Sequence, residues 1–163
     1  MKIVLNGRTI IQDRAVGDPL VFITDRTAED VATIKRIRER VKNGYFSTEF
    51  DNTNYKGCFN AYDLNRIEDI MVAIASLAYD KLHVTLYITP RTWSVNEVPA
   101  ANKITSFLED LNHINGVSPG TVEYEDVEYT VPDPPASLDN MTIDTANNIE
   151  IMLFLIGYYL YYL

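Results

Sequence analysis

The C-terminal stretch, residues 151–163, contains only apolar residues, glycine and tyrosine, and it constrains the fold more than any other feature. Every face of a helix built from this stretch is hydrophobic, so the helix needs cover on all sides. Its thirteen residues would span only ~20 Å as a helix, short of the ~30 Å core of a bilayer, and no Lys or Arg flanks it. We therefore predict a buried helix and no membrane span.

The sequence leaves two ways in which this helix is buried: by a partner or by the rest of its own chain. Four of its residues are tyrosines, whose rings and hydroxyl groups suit protein interfaces. We predict that another copy or another protein covers part of it, through Ile151, Phe154, Leu155, Tyr158, Tyr159, Tyr161, Tyr162 and Leu163. The alternative, which the sequence favours equally, is a central helix enclosed by the chain's own core.

Composition and charge narrow the possible partners. The chain has 163 residues, of which 47% are hydrophobic and 23% charged, as in an ordinary globular protein. One cysteine excludes an internal disulfide, and with two histidines it falls short of a structural zinc site. No Lys or Arg follows Lys103, whereas ten acidic residues do. We expect no nucleic-acid partner, and the acidic half serves either solubility or docking on a basic neighbour.

Capping residues and apolar periodicity predict four helices. The predicted ends are marked by Thr27 and Asn43-Gly44 for the first helix, Asn60 for the second, Pro99 and Gly116 for the third, and Thr142 for the start of the fourth.

Alternating and turn patterns predict strands. Residues 2–11 read as a β-hairpin around Asn6-Gly7, and residues 121–131 as a second hairpin with its acidic residues outward. Residues 21–23 and 83–88 are predicted as further strands. The predicted fold class is mainly α: a compact four-helix domain with an N-terminal β-hairpin and a second small β-hairpin. The predicted parts are an attachment segment (1–23), a helical core with the inserted hairpin (24–131), a Pro-rich linker (132–141) and the apolar interface helix (142–163).

A short motif leads into the second helix. Gly57, Phe59 and Asn60 form a Gly-aromatic-Asn turn, which is followed by Asp63-Leu64-Asn65-Arg66-Ile67-Glu68. Leu64 and Ile67 belong to a broad apolar stripe and are predicted core residues. Arg66 and Glu68 lie off that stripe, so we predict them to be surface ion partners.

This turn and helix resemble a helical module in tail-fibre and baseplate proteins of phages that infect Gram-positive bacteria. Three further pieces occur in the family's order along the chain. Residues 24–31 lie upstream of the motif, and Trp93 ahead of the third helix, then the proline linker with Met141 and residues 146–150, lie downstream of it. Residues 116–131 have no counterpart in that family. The resemblance implies a structural contact under the third helix for Trp93.

The resemblance also implies a function. It predicts a non-enzymatic structural component of a phage tail, baseplate or tail-like particle that joins tail or fibre proteins. Such a protein is assembled in the bacterial cytoplasm, resides in the virion tail and forms a homo-oligomer there. The alternative is a receptor- or carbohydrate-binding module at the tail tip, with Trp93, Tyr124 and Tyr129 as candidate contacts to a cell-surface glycan. A third alternative is a small membrane-associated protein that uses the last helix.

Catalytic patterns are weak throughout. No sequence motif of a catalytic nucleophile and its base surrounds Ser106 with His113, or Cys58 with a histidine. We predict that Cys58 is a small buried residue. The adjacent acids Glu109-Asp110 and Glu125-Asp126 are read as solvated pairs rather than a glycosidase pair. We predict no catalytic, cofactor or metal-binding residues.

Overall fold

The computed structural model describes residues 1–12, 19–44, 56–57, 59–94 and 98–163. The predicted small cysteine, Cys58, lies outside these residues. Within them the elements follow in the order β1 (Lys2–Leu5), β2 (Arg8–Gln12), β3 (Leu20–Phe22), α1 (Ala28–Lys42), α2 (Ala61–Leu82), α3 (Ala101–Asn115), β4 (Thr121–Tyr124), β5 (Val127–Thr130) and α4 (Ile143–Tyr162).

Two small sheets accompany the four helices in the described residues, so the fold is mixed α/β rather than mainly α as predicted. Strand β1 lies between β2 and β3, antiparallel to β2 and parallel to β3. Strands β4 and β5 form the predicted second hairpin. The four predicted helices and both predicted hairpins are present. The class differs because the third strand turns the N-terminal hairpin into a sheet through a parallel pairing, which local sequence patterns do not reveal.

Three of the four predicted helix starts, those of α1, α2 and α4, are confirmed by their caps. Thr27 Oγ1 accepts a hydrogen bond from Asp30 N–H at 3.3 Å, and Asp30 Oδ2 accepts one from Thr27 N–H at 2.8 Å. Asn60 and Asp63 form the same reciprocal box at α2, and Thr142 caps α4. These caps satisfy amide groups that the first helical turn leaves unpaired.

The α1 cap predicts a pH-dependent stability. The pKa of Asp30 is lowered, chiefly because its carboxylate accepts a hydrogen bond from the Thr27 side chain. A carboxyl group with a lowered pKa stabilises the folded state above its unfolded pKa, and this contribution is lost as the pH falls through the folded-state value. We expect Asp30→Asn to lower the free energy of unfolding at neutral pH, with the difference from the parent chain shrinking below about pH 4. Urea denaturation across this range measures it, and a difference that is constant with pH would contradict it.

The connection between α2 and α3 departs from prediction. Helix α2 ends at His83 in a left-handed conformation with φ of 57°. Residues 84–92 then follow without joining either sheet in the described part of the chain, so the strand predicted at 83–88 is wrong. An alternating pattern reports a half-buried extended segment, but a strand also needs a neighbour. Helix α3 begins at Ala101, so Pro99 precedes its N-cap rather than occupying its first turn.

Helices α2 and α4 form the centre of the core and run parallel. Arg66 contacts Glu150 near their N-terminal ends, and Lys81 Nζ lies 3.4 Å from the Tyr161 carbonyl oxygen near their C-terminal ends. Fully buried side chains from the N-terminal sheet, the middle helices and α4 pack together, among them Ile3, Phe22, Ile74, Phe107, Leu111, Met152 and Leu153. The predicted attachment segment, helical core and interface helix therefore share one core. Of the described helices, none is both long and apolar enough to cross a bilayer.

Candidate functional site

Four charged side chains from three distant segments meet inside the protein. This ion cluster consists of Arg26, Asp63, Arg66 and Glu150. Arg26 Nη2 lies 2.6 Å from Glu150 Oε1 and 3.0 Å from Asp63 Oδ1. Arg66 lies 2.6 Å from Glu150 Oε2 through Nη1 and 2.9 Å from Asp63 Oδ1 through Nη2. Glu150 is fully buried, and Arg26 and Asp63 are at most 5% exposed, so two positive and two negative groups compensate each other away from water.

Local structure places each member of the ion cluster. Arg26 directly precedes the N-cap of α1, and Asp63 and Arg66 lie one turn apart at the start of α2. Glu150 lies two turns into α4, and its Oε2 also accepts a 2.6 Å hydrogen bond from Ile23 N–H. The cluster therefore joins the segment after β3 to both central helices.

A neighbouring amide reinforces the same junction. Asn147, one turn before Glu150, accepts from Arg26 N–H at 3.0 Å and donates to the Arg26 carbonyl oxygen at 3.0 Å. The Arg66 guanidinium also donates to the Val21 carbonyl oxygen. Burial lowers the pKa of Arg66, but Glu150 and Asp63 outweigh it, so the pKa of Arg66 is raised. Both carboxylates are thus occupied in fixing backbone segments and guanidinium groups.

A second buried cluster, formed by Glu68, Arg91 and Asp110, joins α2 to α3. Arg91 Nη1 lies 2.9 Å from Glu68 Oε1, and Arg91 Nη2 contacts Asp110 Oδ2. Trp93 Nε1 donates to Glu68 Oε1 at 3.0 Å, and Thr89 N–H donates to Asp110 Oδ2 at 3.1 Å. Burial raises the pKa of Glu68, against the opposing effects of Trp93 and Arg91. We call this group the Arg91 cluster.

Trp93 lies where the resemblance implied a contact under the third helix. Its ring meets that of Phe107 edge to face, with centroids 5.7 Å apart, and only 5% of Trp93 is exposed. Its backbone N–H donates to Asn65 Oδ1 at 2.8 Å, and its carbonyl oxygen accepts from Asn65 Nδ2 at 3.0 Å. The segment around Trp93 is therefore held against α2.

The polar residues of the α2 motif divide between the two clusters. Asp63 and Arg66 belong to the ion cluster, Glu68 belongs to the Arg91 cluster, and Asn65 holds Trp93. The prediction that Arg66 and Glu68 are surface ion partners is wrong: Glu68 is 2% exposed and the Arg66 side chain 10%. An apolar stripe does not reveal charged residues that are buried as pairs.

Sequence reasoning did not identify the cluster members Arg26, Arg91 and Glu150, nor the neighbouring amide of Asn147. Asp110 was read as solvated, but it is 3% exposed. The sequence feature that could have revealed the ion cluster is Glu150. It is a lone acid at the edge of an apolar helix, and a charge buried there needs a buried partner.

The Gly-aromatic-Asn turn packs against the ion cluster. The Phe59 ring lies beside the Arg26 guanidinium, 5.4 Å from centroid to Cζ, and Asn60 caps α2. Gly57 lies so close to the first turn of α1 that a Cβ built there would overlap the Asp30 carbonyl group. The glycine is therefore required by close approach of two backbones.

Gly57→Ala tests that close approach. Because the Cβ would meet backbone atoms of α1, we expect the free energy of unfolding to fall by roughly 1–3 kcal/mol. Gly157→Ala is the matched control, since its Cβ would lie 3.6 Å from the Ile74 side chain, an ordinary contact. Urea denaturation of both variants measures the effect, and equal stabilities for the two would contradict the assignment.

The predicted interface helix is largely covered by its own chain. Phe154 and Leu155 are 3% and 2% exposed, so neither is available for a partner, because β-strand and helix residues of the same core surround them. Ile151, Tyr158, Tyr159 and Tyr161 are half-buried. Tyr162 and Leu163 are 63% and 54% exposed. The surface available at this end is therefore the last turn of α4.

Tyrosines of the second hairpin extend that surface. Tyr158 packs against Tyr124 and Tyr162, with ring centroids 5.2 and 4.7 Å apart, and Tyr124 lies 6.3 Å from Tyr129. Burial raises the pKa of Tyr124 and of Tyr158. We call these four residues the tyrosine patch. Exposed acids of the same hairpin lie beside it: Glu123, Glu125, Asp126 and Glu128.

The remaining catalytic candidates are not brought together as a site. Ser106 Oγ accepts a hydrogen bond from Arg91 Nη2 at 3.2 Å, and His113 Nδ1 lies 3.8 Å from Asp110 Oδ1. In the described ranges, the His, Cys, Asp and Glu side chains form no group of three suited to a metal ion.

Comparison of the chain with protein-family models, curated proteins and solved structures found no match.

Proposed function

We propose that this protein is a non-enzymatic structural component of a phage tail, baseplate or tail-like particle, where it joins tail or fibre proteins through protein–protein contacts. In this proposal it resides in the virion tail and forms a homo-oligomer there. The proposal rests on the resemblance of residues 24–31, 57–68, 93 and 141–150 to the phage module, together with the positions that these residues occupy.

The observation that carries the proposal is the convergence of the resembling segments. Residue Arg26 comes from the first segment, Asp63 and Arg66 from the second, and Glu150 from the last, and all four meet in the ion cluster. The third segment supplies Trp93, which is held by Asn65 of the second. The polar residues of these segments bind one another and hold the segments together inside the protein. This arrangement supports a structural role for the protein.

The tyrosine patch supplies a surface for such contacts. Tyr129 and Tyr162 are 40% and 63% exposed, and the hairpin that carries Tyr129 also carries four exposed acids. Aromatic residues with a charged rim are typical of protein interfaces. The tyrosine patch and the acids of the hairpin are complementary to a partner surface that carries apolar side chains and Lys or Arg residues.

Particle composition tests the function. Tail particles purified from the source cells after prophage induction should contain this chain at a fixed ratio to the other tail proteins, as measured by quantitative mass spectrometry. A chain that remains in the particle-free fraction, with none in intact particles, would refute the proposal.

The contact surface is tested separately by mass in solution. A truncation after Glu150 is unsuitable for this test because it would remove the core residues Met152, Leu153 and Leu160 together with the surface. A single substitution in the tyrosine patch changes the surface alone. We expect light scattering to show an oligomer for the full chain and a smaller species for Tyr162→Ser. Tyr62→Ser, which alters a 44% exposed tyrosine at the start of α2, is the matched control. Equal masses for the full chain and Tyr162→Ser would exclude the patch as an oligomer contact.

The carbohydrate-binding alternative loses one of its candidate contacts. A sugar-stacking ring must be open to solvent, whereas Trp93 is enclosed by Phe107 and hydrogen-bonded to Glu68. The Tyr124/Tyr129 pair is left as its candidate surface, and binding on a glycan array is the measurement that would favour this alternative.

A further inference from the structure

Residues 84–92 form an extended segment that returns along α2. The backbone of Trp93 is hydrogen-bonded to Asn65, eighteen residues before His83 at the end of α2. Eighteen helical residues rise ~27 Å, so the ten residues from His83 to Trp93 advance roughly 2.7 Å each. This is close to the rise of a strand, about 3.3 Å per residue, and far from that of a helix.

The middle of this segment has free backbone groups. Val84 N–H donates to the Ala78 carbonyl oxygen at 3.4 Å, and Thr89 N–H donates to Asp110 Oδ2 at 3.1 Å. Between them, residues 85–88 make no backbone hydrogen bond to any described residue. A row of unpaired N–H and C=O groups on an extended chain is a template for another strand.

A groove lies beside this free edge. It has a volume of about 490 Å³ and separates the segment from the outer face of α2. Its lining includes Val72, Ala75, Ser76 and Tyr79 from α2, with Leu86 and Ile88 from the segment. The small side chains of Ala75 and Ser76 leave room for those of an incoming chain.

Unpaired backbone N–H groups of this segment are directed toward the groove. Thr89 N–H points to Asp110 on α3, and successive N–H groups of an extended chain point to opposite edges. The N–H groups of Leu86 and Ile88 therefore face the α2 side. A strand bound there would pair with these residues and place alternate side chains in the groove.

The charges around the groove indicate the chemistry of the bound strand. Asp80 is the only charged side chain among the described residues that line it. Residues 84–90 carry no charge, so they lack the lysines that usually protect exposed strand edges. An apolar strand with a Lys or Arg beside Asp80 is complementary to this surface.

We propose that residues 85–88 and the α2 groove bind an extended segment of a partner protein by β-strand addition. The bound segment alternates small apolar side chains, which enter the groove, with outward-facing residues, and it places a cationic residue beside Asp80. Main-chain hydrogen bonds hold it, and the groove selects its side chains. This site is separate from the tyrosine patch and does not depend on the proposed function.

A peptide titration followed by ¹⁵N NMR tests the site. The probe is an acetylated six-residue peptide that begins with lysine and then alternates valine and threonine. We expect saturable shifts of the amide signals of residues 85–88, with slower hydrogen exchange. A lysine at position 76 would fill the floor of the groove, so Ser76→Lys should weaken binding at least roughly tenfold.

Two controls make the result decisive. Thr105→Lys adds the same charge at an exposed helical residue whose hydroxyl group bonds back to the preceding turn, as that of Ser76 does, and it should bind normally. The same peptide methylated on alternate backbone nitrogens should not bind. The proposal is overturned by a lack of saturable shifts, by equal binding of the methylated peptide, or by protection of these amides through self-association of the free chain.

Discussion

Glu150→Ala is expected to lower the free energy of unfolding by about 3–5 kcal/mol, the usual cost of removing one partner from a buried ion pair. Glu150 is fully buried and contacts Arg26, Arg66 and the Ile23 amide group. Its removal would leave two guanidinium groups sharing Asp63 inside the core. Urea denaturation monitored by circular dichroism measures the change.

An exposed ion pair provides the matched control. Asp25 lies 2.6 Å from Lys56 Nζ, but both side chains remain substantially exposed. Asp25→Ala should therefore cost less than about 1 kcal/mol. If Glu150→Ala were no more harmful than Asp25→Ala, the ion cluster would not hold the fold together.

Arg91→Ala is expected to have a similarly large effect, about 3–5 kcal/mol. It would leave the carboxylates of Glu68 and Asp110 inside the protein without their shared guanidinium group. Glu68 Oε2 already has no hydrogen-bond partner among the described residues. The loss of stability should be smaller at low pH, since protonation of Glu68, whose pKa is raised, removes one of the two buried charges.

The control for this variant is Arg8→Ala. Arg8 forms a 2.9 Å ion pair with Glu125, but its side chain is 71% exposed. Denaturation of both variants at pH 7 and pH 4.5 separates the two cases. A loss of stability for Arg91→Ala that grows toward low pH would contradict the assigned role of Glu68.

Helix ends were predictable because their signals are local. Thr27, Asn60 and Thr142 act as caps through hydrogen bonds within one turn, and Asn43 and Gly116 end helices as their sequence context indicates. The Asn6-Gly7 hairpin has the same origin, since both residues adopt the positive φ that its turn requires.

Long-range pairings could not be read from the sequence. The parallel contact of β3 with β1 and the meeting of Arg26 with Glu150 join residues that are far apart along the chain. Because Arg66 and Glu68 are charged and lie off the apolar stripe of the helix, the periodicity predicted that both are at the surface. Charged residues are rarely buried unless they are paired, and the pairing is a property of the fold.

The extended segment after α2 illustrates a different limit. Its alternating pattern indicated a strand, and the structure shows an extended chain without a neighbouring strand among the described residues. The pattern described the local geometry correctly. The structure adds what the pattern could not show: the backbone groups of residues 85–88 are unpaired among the described residues, and a groove lies beside them.

The coupling energy between Arg66 and Glu150 tests most directly whether the motif residues form the internal framework. A double-mutant cycle with Arg66→Met, Glu150→Gln and the combined variant gives this energy from three denaturation curves and that of the parent chain. The two side chains make contacts of 2.6 and 2.7 Å in a buried site, so we predict a coupling of about 1–3 kcal/mol. Effects that add to within about 0.5 kcal/mol would show that the two residues act independently and would contradict the framework role.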